Sequence, residues 1–274
     1  MSEFSGDMDS FHEYYDMISD FLSPSAELYQ RAIQTIDRLK SGSLTPKETF
    51  KFWLNMESSK VVAFAYKLDT HPVFIAFSEN TNNEFLKNLC RVHVEFQGVV
   101  CDLDPLVCQS FNIKRDKLLF QCTVNTLKPI ERENDNFLFR VADKNDEQQL
   151  TEMLDQFSLA VNLPPNMFSS VRDMMSRGRI YVACPILNPS KVVSCAYITN
   201  PACQVSRVTF VYTKKDFRRR GISQNLISKI LHECLAHDLS ATLFVDANNQ
   251  SAISTYKSVG FMEIASYQVR TLNH

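Results

Sequence analysis

Hydrophobic residues in the last third of the chain follow patterns typical first of a strand and then of a helix. Residues 205–213 are rich in β-branched side chains and predict a strand. From Ile222 to Leu235 the apolar residues recur at helical spacing and predict an amphipathic helix. A second buried strand is predicted at residues 243–247, followed by a short helix that ends at Gly260. The rest of the chain is arranged around this strand–loop–helix–strand–helix order.

The remaining elements follow from the same two periodicities. Before residue 126 the pattern predicts two helices within residues 8–40, a strand hairpin at 61–66 and 73–77, a helix at 83–95, a strand at 97–101, a helix at 104–111 and a strand at 117–124. Residues 126–136 are mostly polar and predict a linker. Beyond it, the pattern predicts strands at residues 137–142, 179–184 and 191–199, helices at 146–161 and 166–176, and two last strands at 261–265 and 267–272.

Composition narrows the class of protein. The 274 residues are 45% hydrophobic and 22% charged, which is typical of a soluble globular protein of one large or two ordinary domains. The formal net charge of −2 gives no global basis for binding nucleic acid or an anionic membrane. No run reaches the roughly 18–20 apolar residues of a membrane span. Eight cysteines without a signal sequence favour a reducing compartment, so we expect a cytoplasmic protein, with the nucleus as the alternative.

The loop between the 205–213 strand and the following helix is basic. It contains Lys214, Lys215, Arg218, Arg219 and Arg220. The start of a helix leaves backbone N–H groups without partners and is the positive end of the helix dipole, so a diphosphate could be held there by amides and arginines. Gly221, which has no Cβ, would let such a ligand approach the backbone closely. The alternatives are a solvated basic turn, a localisation signal, or a nucleic-acid site on residues 214–220.

The second helix of this stretch has recognisable ends. Asn249 can cap its first amides, and Gly260 suits the left-handed position after its last turn. Phe261 can then pack back beneath the helix, and Tyr256 lies near its C-terminal end. A tyrosine at this place could equally be an ordinary core aromatic whose hydroxyl finds a partner.

The two motifs together resemble the GNAT superfamily of acyl-CoA-dependent N-acyltransferases. The residues that carry the resemblance are Arg218-x-x-Gly221-x-Ser223 and Asn249-x-x-Ala252-x-x-x-Tyr256-x-x-x-Gly260-Phe261. Members commonly have glycine or alanine where this chain has Ser223. Serine is small and keeps its backbone N–H, so we expect it to admit a phosphate, though less openly than glycine.

The resemblance implies an α/β (α+β) fold of the GNAT type, with a mixed, mostly antiparallel splayed sheet flanked by helices. It also suggests a two-domain tandem arrangement. Residues 1–130 would form a degenerate GNAT-like domain, and residues 131–274 would form the catalytic GNAT acetyltransferase domain. The sheet of the second domain is expected to open between its fourth and fifth strands.

The resemblance also implies a site for acetyl-CoA as co-substrate, without a metal. The pantetheine arm would pair with main-chain groups of the 205–213 strand, the diphosphate would rest on the amides of residues 219–224, and Asn249 would reach the pantetheine arm. The implied coenzyme-binding residues are Val211, Tyr212, Thr213, Arg218, Arg219, Arg220, Gly221, Ile222, Ser223, Gln224 and Asn249. Tyr256 would donate a proton to the departing thiolate as the general acid.

No general base is assigned by the sequence. Many GNAT members use a glutamate on the fourth or fifth strand, whereas this chain has Ser206, Thr209 and Phe244 in that region. Asp246 is a candidate substitute, although an aspartate at a strand end is more often a loop or cap residue; a water chain or an amine that arrives neutral would also serve.

A metal site has little support from the sequence. His232 and His237 are five residues apart, whereas two zinc ligands on one helical face need a spacing of four.

The resulting hypothesis is an N-acetyltransferase in which a primary amine, of a small molecule or a protein, attacks acetyl-CoA directly. The alternative is a catalytically silent acyl-CoA-binding or protein-interaction module on the same fold. The expected partners are acetyl-CoA and an amine acceptor, without nucleic acid or membrane, and a homodimer is allowed.

Overall fold

The computed structural model describes residues 2–78, 83–93, 95–99, 111–130, 134–161, 170–176, 178–237 and 240–272. Its contacts divide the chain into two compact units. The first unit contains Met1–Leu119, Asp246–Asn248 and Ile264–His274, and the second contains Phe120–Val245 and Asn249–Glu263.

The first unit is built from seven strands and three helices in its described part. The strands are β1 (Ser2–Asp7), β2 (Phe50–Glu57), β3 (Lys60–Leu68), β4 (Val73–Phe77), β5 (Glu95–Val99), β6 (Phe111–Cys122) and β12 (Met262–Leu272), and the helices are α1 (Met8–Leu22), α2 (Ala26–Lys40) and α3 (Asn83–Val92). The spatial order is β1-β2-β3-β4-β5-β12-β6. The predicted hairpin is confirmed, because Ala63 to Tyr66 pair with Phe77 to Phe74 in antiparallel register.

Helices cover both faces of this first sheet. The ring of Phe11 on α1 lies 5.8 Å from that of Phe52 on β2. The next residue along the strand, Trp53, packs instead with the cluster that contains Leu86 of α3. Since successive side chains of a strand point to opposite faces, α1 and α3 lie on opposite sides of the sheet.

The second unit has the same layered construction. Its strands are β7 (Phe137–Val141), β8 (Gly178–Pro185), β9 (Ser194–Thr199), β10 (Val205–Thr213) and β11 (Ser240–Asp246), and its helices are α4 (Glu147–Ala160), α5 (Val171–Ser176), α6 (Ile222–Leu235) and α7 (Gln250–Ser258). The spatial order is β11-β10-β9-β8-β7. Ile180 and Val182 of β8 pack with Leu150 of α4, whereas Ala183 packs with Ile222 of α6.

Most predicted elements are present, with differences at the ends of the chain. β1 and β2 are not predicted by the sequence pattern; β1 is short and polar, and it is an edge strand held by its antiparallel ladder with β2. The two predicted last strands form the single strand β12, because Tyr267 to Thr271 pair continuously with Val99 to Glu95. The helix predicted at residues 104–111 falls almost entirely outside the described residues, as does the first half of the one predicted at 166–176.

The contact-based units also divide the chain differently from the sequence-based domains. Residues 264–272, which the sequence assigns to the second domain, pair with β5 of the first unit. Residues 120–130, which the sequence assigns to the first domain, fall in the second unit. The roles given to residues 1–130 and 131–274 stay predictions.

Candidate functional site

Strand β10 contains a β-bulge that shifts its alternation. Thr209 lies opposite Tyr197 of β9, and Tyr212 lies opposite Cys195, so β10 advances by three residues where β9 advances by two. The extra residue, Phe210, has a φ of 50°. The thiol of Cys195 donates to the carbonyl oxygen of Phe210 at 3.8 Å. The bulge bends the strand and re-aims the residues that follow it.

Strands β10 and β11 separate soon after they begin to pair. They are parallel and in register from Val205↔Ser240 to Arg207↔Thr242. Beyond Arg207, β10 has no partner on this side in the described part of the chain. The sheet of the second unit therefore opens between its fourth and fifth strands, as the resemblance to the GNAT superfamily implies.

The main chain of Thr213 faces this opening. Lys214 N–H donates at 2.9 Å to the carbonyl oxygen of Val193, the residue just before β9, so alternation directs the main-chain groups of Thr213 to the other side. The Thr213 carbonyl already accepts a hydrogen bond from Arg218 Nε at 3.0 Å. The guanidinium of Arg218 also lies over the ring of Tyr212, 5.6 Å from its centroid. Arg218 is thus bound to the end of β10.

The loop before α6 leaves a set of amides free. A 3-10 turn, Lys215–Phe217, follows β10, and two residues with positive φ then lead into the helix: Arg219 at 59° and Gly221 at 72°. Asn225 N–H makes the first helical hydrogen bond, to Gly221 O at 3.0 Å. Within the described residues, the amides of residues 219–224 have no acceptor. They form a positively polarised surface at the start of the helix.

Side-chain amides fix the carbonyls of the same loop. Asn225 is buried, donates through Nδ2 to Gly221 O at 3.1 Å, and accepts the Asn134 N–H at 3.1 Å through Oδ1. Asn134 Nδ2 donates to Arg220 O at 2.7 Å. In a trans peptide the carbonyl and the following N–H point in opposite directions, so the Gly221 N–H faces away from Asn134. Asn225 is not among the site residues predicted from the sequence. The feature that could have revealed it is a polar amide among the buried positions of an apolar helix face.

The arginines of the loop differ in their surroundings. Arg220 donates to Asp216 O at 3.0 Å and lies 5.2 Å from the centroid of the Phe217 ring. Arg219 is exposed and makes no ion pair or hydrogen bond within the described residues. Arg219 is therefore the loop arginine most available to an anion.

Helix α7 has the ends that the sequence predicts. Asn249 Oδ1 accepts the Ala252 N–H at 3.1 Å and caps its first turn. Gly260, at φ 109°, follows its last turn, and a Cβ there would lie 2.2 Å from the carbonyl oxygen of Thr126. Phe261 N–H donates to Tyr256 O at 3.1 Å, and the two rings are 5.9 Å apart. Glycine is therefore required at position 260, both because of its positive φ and because the backbone of Thr126 approaches so closely.

Tyr256 is buried without a hydrogen bond from its hydroxyl. Its side chain is 8% exposed, and no partner for the hydroxyl exists in the described part of the chain. Burial raises the pKa of Tyr256 to about 12. The residue is thus a neutral phenol at physiological pH, with an O–H group available to another acceptor.

The comparison with protein families identifies this part of the chain. Residues 185–271 match the model of the acetyltransferase (GNAT) domain. The chain carries a GNAT acetyltransferase domain. All of the sequence-predicted site residues fall within the matched range, and the fold and the domain are those of acyl transferases.

Solved structures agree with the fold of the GNAT domain. The chain is similar to a tandem GNAT protein from the clavulanic acid biosynthesis pathway, with 10% identity over 98% of this chain and 97% of that one and a TM-score of 0.64. A GCN5-related N-acetyltransferase from Sphaerobacter thermophilus gives 13% identity over 98% and 94% and a TM-score of 0.63. A Drosophila protein gives 10% identity over 98% of each chain and a TM-score of 0.62. A search of curated proteins gave no significant match.

The remaining predicted site residues of the GNAT domain can contribute mainly through their backbones. Tyr212 is buried, and its hydroxyl donates to Gln156 Oε1 at 2.9 Å. The side chain of Ile222 is buried in the core, while Val211, Ser223 and Gln224 are half-buried.

Among the described residues of β10 and β11, no side chain is placed as a general base. Asp246 is exposed, and its Oδ1 accepts the Asn248 N–H at 2.9 Å, which is the turn-capping role considered for it. Ser206 is buried, and Thr209 and Phe244 are half-buried.

The described residues contain neither a cluster of metal-binding side chains nor a membrane-spanning helix. No group of three or more His, Cys, Asp or Glu side chains is placed to hold a metal ion there. Likewise, the helices among these residues are all too short or too polar to cross a bilayer.

Proposed function

We propose that the protein is an N-acetyltransferase that transfers an acetyl group from acetyl-CoA to a primary amine. The observation that carries the proposal is the combination of an open β10 edge with free amides at the start of α6. An extended, amide-containing arm can add to an open strand edge, and a diphosphate can bind a helix N-terminus. Acetyl-CoA contains both chemical parts in one molecule.

The residues of the site fit such a ligand. Val211 and Thr213 would offer main-chain groups to the pantetheine arm; since Arg218 occupies the Thr213 carbonyl, the Thr213 N–H is the freer of its two groups. The amides of residues 219–224 and the side chain of Arg219 would hold the diphosphate. Asn249 uses its oxygen as a helix cap, so its Nδ2 would contact the pantetheine arm.

In the proposed reaction the amine nitrogen bonds to the acetyl carbon while the carbon–sulfur bond breaks. Tyr256 would give its phenolic proton to the departing sulfur, because its hydroxyl is protonated at neutral pH and has no partner among the described residues. The proton that the amine loses goes to solvent, the Tyr256 phenolate regains a proton from solvent before the next turnover, and we assign no base. The amine must then arrive neutral, so turnover should rise with pH until the free amine predominates.

A silent acyl-CoA-binding or protein-interaction module is the second candidate. Ser223 in place of glycine or alanine, and Asp246 as the sole carboxylate of strands β10 and β11, favour it. Both candidates predict coenzyme binding, and only the first predicts turnover.

The decisive experiment measures acetyl-CoA consumption against a panel of amines: polyamines, amino acids, amino sugars, peptide N-termini and lysine peptides. Turnover with at least one amine, reduced 100-fold or more in Tyr256→Phe, would support the enzyme; a proton donor contributes about 10²–10⁴-fold. CoA binding without turnover on any amine would favour the module. A double variant, Arg220→Glu with Gly221→Asp, should abolish coenzyme binding; unchanged affinity in that variant would overturn the proposed site.

The proposal also covers the cellular compartment and the oligomeric state. We expect the enzyme to act in the cytoplasm, or alternatively in the nucleus, because the chain has eight cysteines and the described ones include no disulfide. A homodimer is compatible with the proposal and is tested by the mass of the protein in solution.

A further inference from the structure

Arg207 is the only charged residue of β10, and it lies where β10 and β11 separate. The last pair between the two strands is Arg207↔Thr242, and the opening begins directly after it. The side chain of Arg207 is half-buried. The reaction proposed above gives this arginine no role.

The side chain of Arg207 lies on the face of the sheet that α4 covers. Thr209, two residues further along β10, is directly opposite Tyr197, which packs in the same cluster as Leu150 of α4. Side chains two residues apart on a strand share a face, so Arg207 points to this face as well. Its backbone is held to β9, because Arg207 N–H donates to Thr199 Oγ1 at 3.0 Å.

No other side chain of β8, β9 or β10 that points to this face is charged. The residues of β8 on this face include Ile180 and Val182, and Cys195 of β9 packs beside them. Arg179 of β8 points to the opposite face, where it lies 3.6 Å from Glu233 of α6. A cation among apolar neighbours acts more strongly on a nearby charge than it would in water, because the local dielectric constant is lower.

The proposed coenzyme geometry directs the acyl group towards Arg207. The diphosphate is placed at the start of α6, beyond the C-terminal end of β10, and the arm pairs with Thr213 and Val211. An arm that enters there runs back along β10 towards the point where the strands separate. The open edge, residues 208–213, is at most about 20 Å long at roughly 3.3 Å per residue. The acceptor therefore meets the acyl group on the Arg207 side of the opening.

We propose that Arg207 binds a carboxylate of the acceptor, so that the substrate is an amino acid. This inference rests on the proposed function and names its substrate class. A guanidinium can hold a carboxylate through two parallel N–H···O bonds, which fix its orientation as well as its position. It has five N–H donors, so bonds within the protein leave others for a ligand.

Holding the carboxylate would also orient the reacting nitrogen. In an α-amino acid the amine is separated from the carboxylate by one carbon, so a fixed carboxylate confines the amine to a small region near the thioester. A polyamine fits the same place poorly, because its additional positive charges would be repelled by the guanidinium. Arg207 is accordingly a specificity-determining residue.

Acceptors that differ only in the carboxylate test the proposal. Acetylation of each common amino acid is compared with that of its carboxamide, at saturating acetyl-CoA, with spermidine as the cationic probe. The carboxamide has the lower amine pKa, so deprotonation alone would favour the carboxamide. We expect kcat/KM to be at least roughly tenfold higher for one or more amino acids than for the matched carboxamides, and lower still for spermidine.

Replacement of Arg207 should remove this preference. Arg207→Met should raise the KM of the preferred amino acid roughly tenfold, while the KM of its carboxamide and the affinity for CoA stay within about twofold. Arg207→Lys keeps the charge but loses the paired donors, so it should retain part of the preference. Arg179→Met, on the opposite face of the sheet, is the matched control and should change none of these quantities.

The outcomes separate this inference from the proposed function. If wild type acetylates amines but prefers no amino acid to its carboxamide, the assignment of Arg207 is wrong while the proposed function stands. An equal rise in KM for both acceptors in Arg207→Met leads to the same conclusion, because a merely structural role would produce it. If Arg207→Met does not fold, an unchanged preference in Arg207→Lys overturns the assignment. If wild type acetylates no amine of any kind, the proposed function fails and the assignment fails with it.

Discussion

Asn225 accepts the backbone N–H of Asn134 through its side-chain oxygen at 3.1 Å. The same side chain donates to Gly221 O at 3.1 Å, so one buried amide joins the segment before β7 to the first turn of α6. The geometry of the free amides thus depends on a residue that presents no atom to the proposed ligand.

Asn225→Leu should weaken both the fold and coenzyme binding. Leucine is of similar size but cannot satisfy the Asn134 N–H, and an orphaned buried polar group costs about 1–3 kcal/mol. We expect a loss of this size in urea unfolding and several-fold weaker CoA binding, measured under conditions where the variant is folded. Lys229→Ala, at an exposed position of the same helix, is the control and should change neither quantity appreciably.

Two glycines with positive φ should respond differently to alanine. At Gly221 a Cβ would meet only Asn225 Nδ2, at 3.8 Å, so Gly221→Ala should cost only the left-handed backbone, about 1–2 kcal/mol. At Gly260 a Cβ would lie 2.2 Å from a backbone oxygen, so Gly260→Ala should cost clearly more. Denaturant unfolding of both variants checks the order, and equal losses would contradict the packing described for Gly260.

Tyr256→Phe should separate stability from activity. The hydroxyl makes no hydrogen bond within the described residues, so its removal should change the free energy of unfolding by less than about 1 kcal/mol. Turnover should fall at least 100-fold while CoA affinity holds. A large loss of stability with unchanged turnover would show a structural role instead.

The same variant should alter the response to alkali. The pKa of Tyr256 is about 12 in the folded chain and about 10 when unfolded. Between these values the folded state holds the proton and the unfolded state releases it, so this contribution to stability is complete below pH 10 and is lost as the pH rises towards 12. Wild type should therefore lose more stability than Tyr256→Phe over that window, as measured by urea unfolding at each pH.

Asp146 at the start of α4 should stabilise the second unit above pH 4. Burial alone would raise the pKa of its carboxyl, but hydrogen bonds from Arg140, at 2.6 and 2.9 Å, and from the Asp143 N–H outweigh burial and lower it. A carboxyl whose pKa is lower in the folded state adds to the free energy of unfolding. That contribution is present above the pKa of the unfolded state, about 3.9, and is lost as the pH falls through the pKa of the folded state.

Asp146→Asn should therefore destabilise the chain at neutral pH and progressively less in acid. We expect about 2–3 kcal/mol, below the 3–5 kcal/mol of a fully buried pair, because Arg140 is 27% exposed. Glu147→Gln is the control, since its partner Arg172 is 81% exposed and such surface pairs contribute about 0–1 kcal/mol. A difference between Asp146→Asn and wild type that does not narrow below pH 4 would argue against the ion pair.

Local signals explain why much of the second unit is predictable from sequence. Asn249, Gly260 and Phe261 mark both ends of α7 through backbone chemistry that acts within a few residues, and the structure has these caps. The contribution of Asn225 is not visible in this way, because its partner Asn134 is 91 residues away. Pairing of β12 with β5 is likewise long-range, so the pattern at residues 261–272 gives the strand without its neighbour.

The bulge at Phe210 changes which residues of β10 point to each face of the sheet. Up to Thr209 the odd-numbered residues share the side on which Tyr197 lies; from Tyr212 onward the even-numbered residues take that side. Deleting residue 210 would pair β10 evenly with β9 and leave each flanking residue on its present side. It would nevertheless remove the bend that aims the end of β10 at the opening, so the length of this strand, and not only its composition, shapes the proposed site.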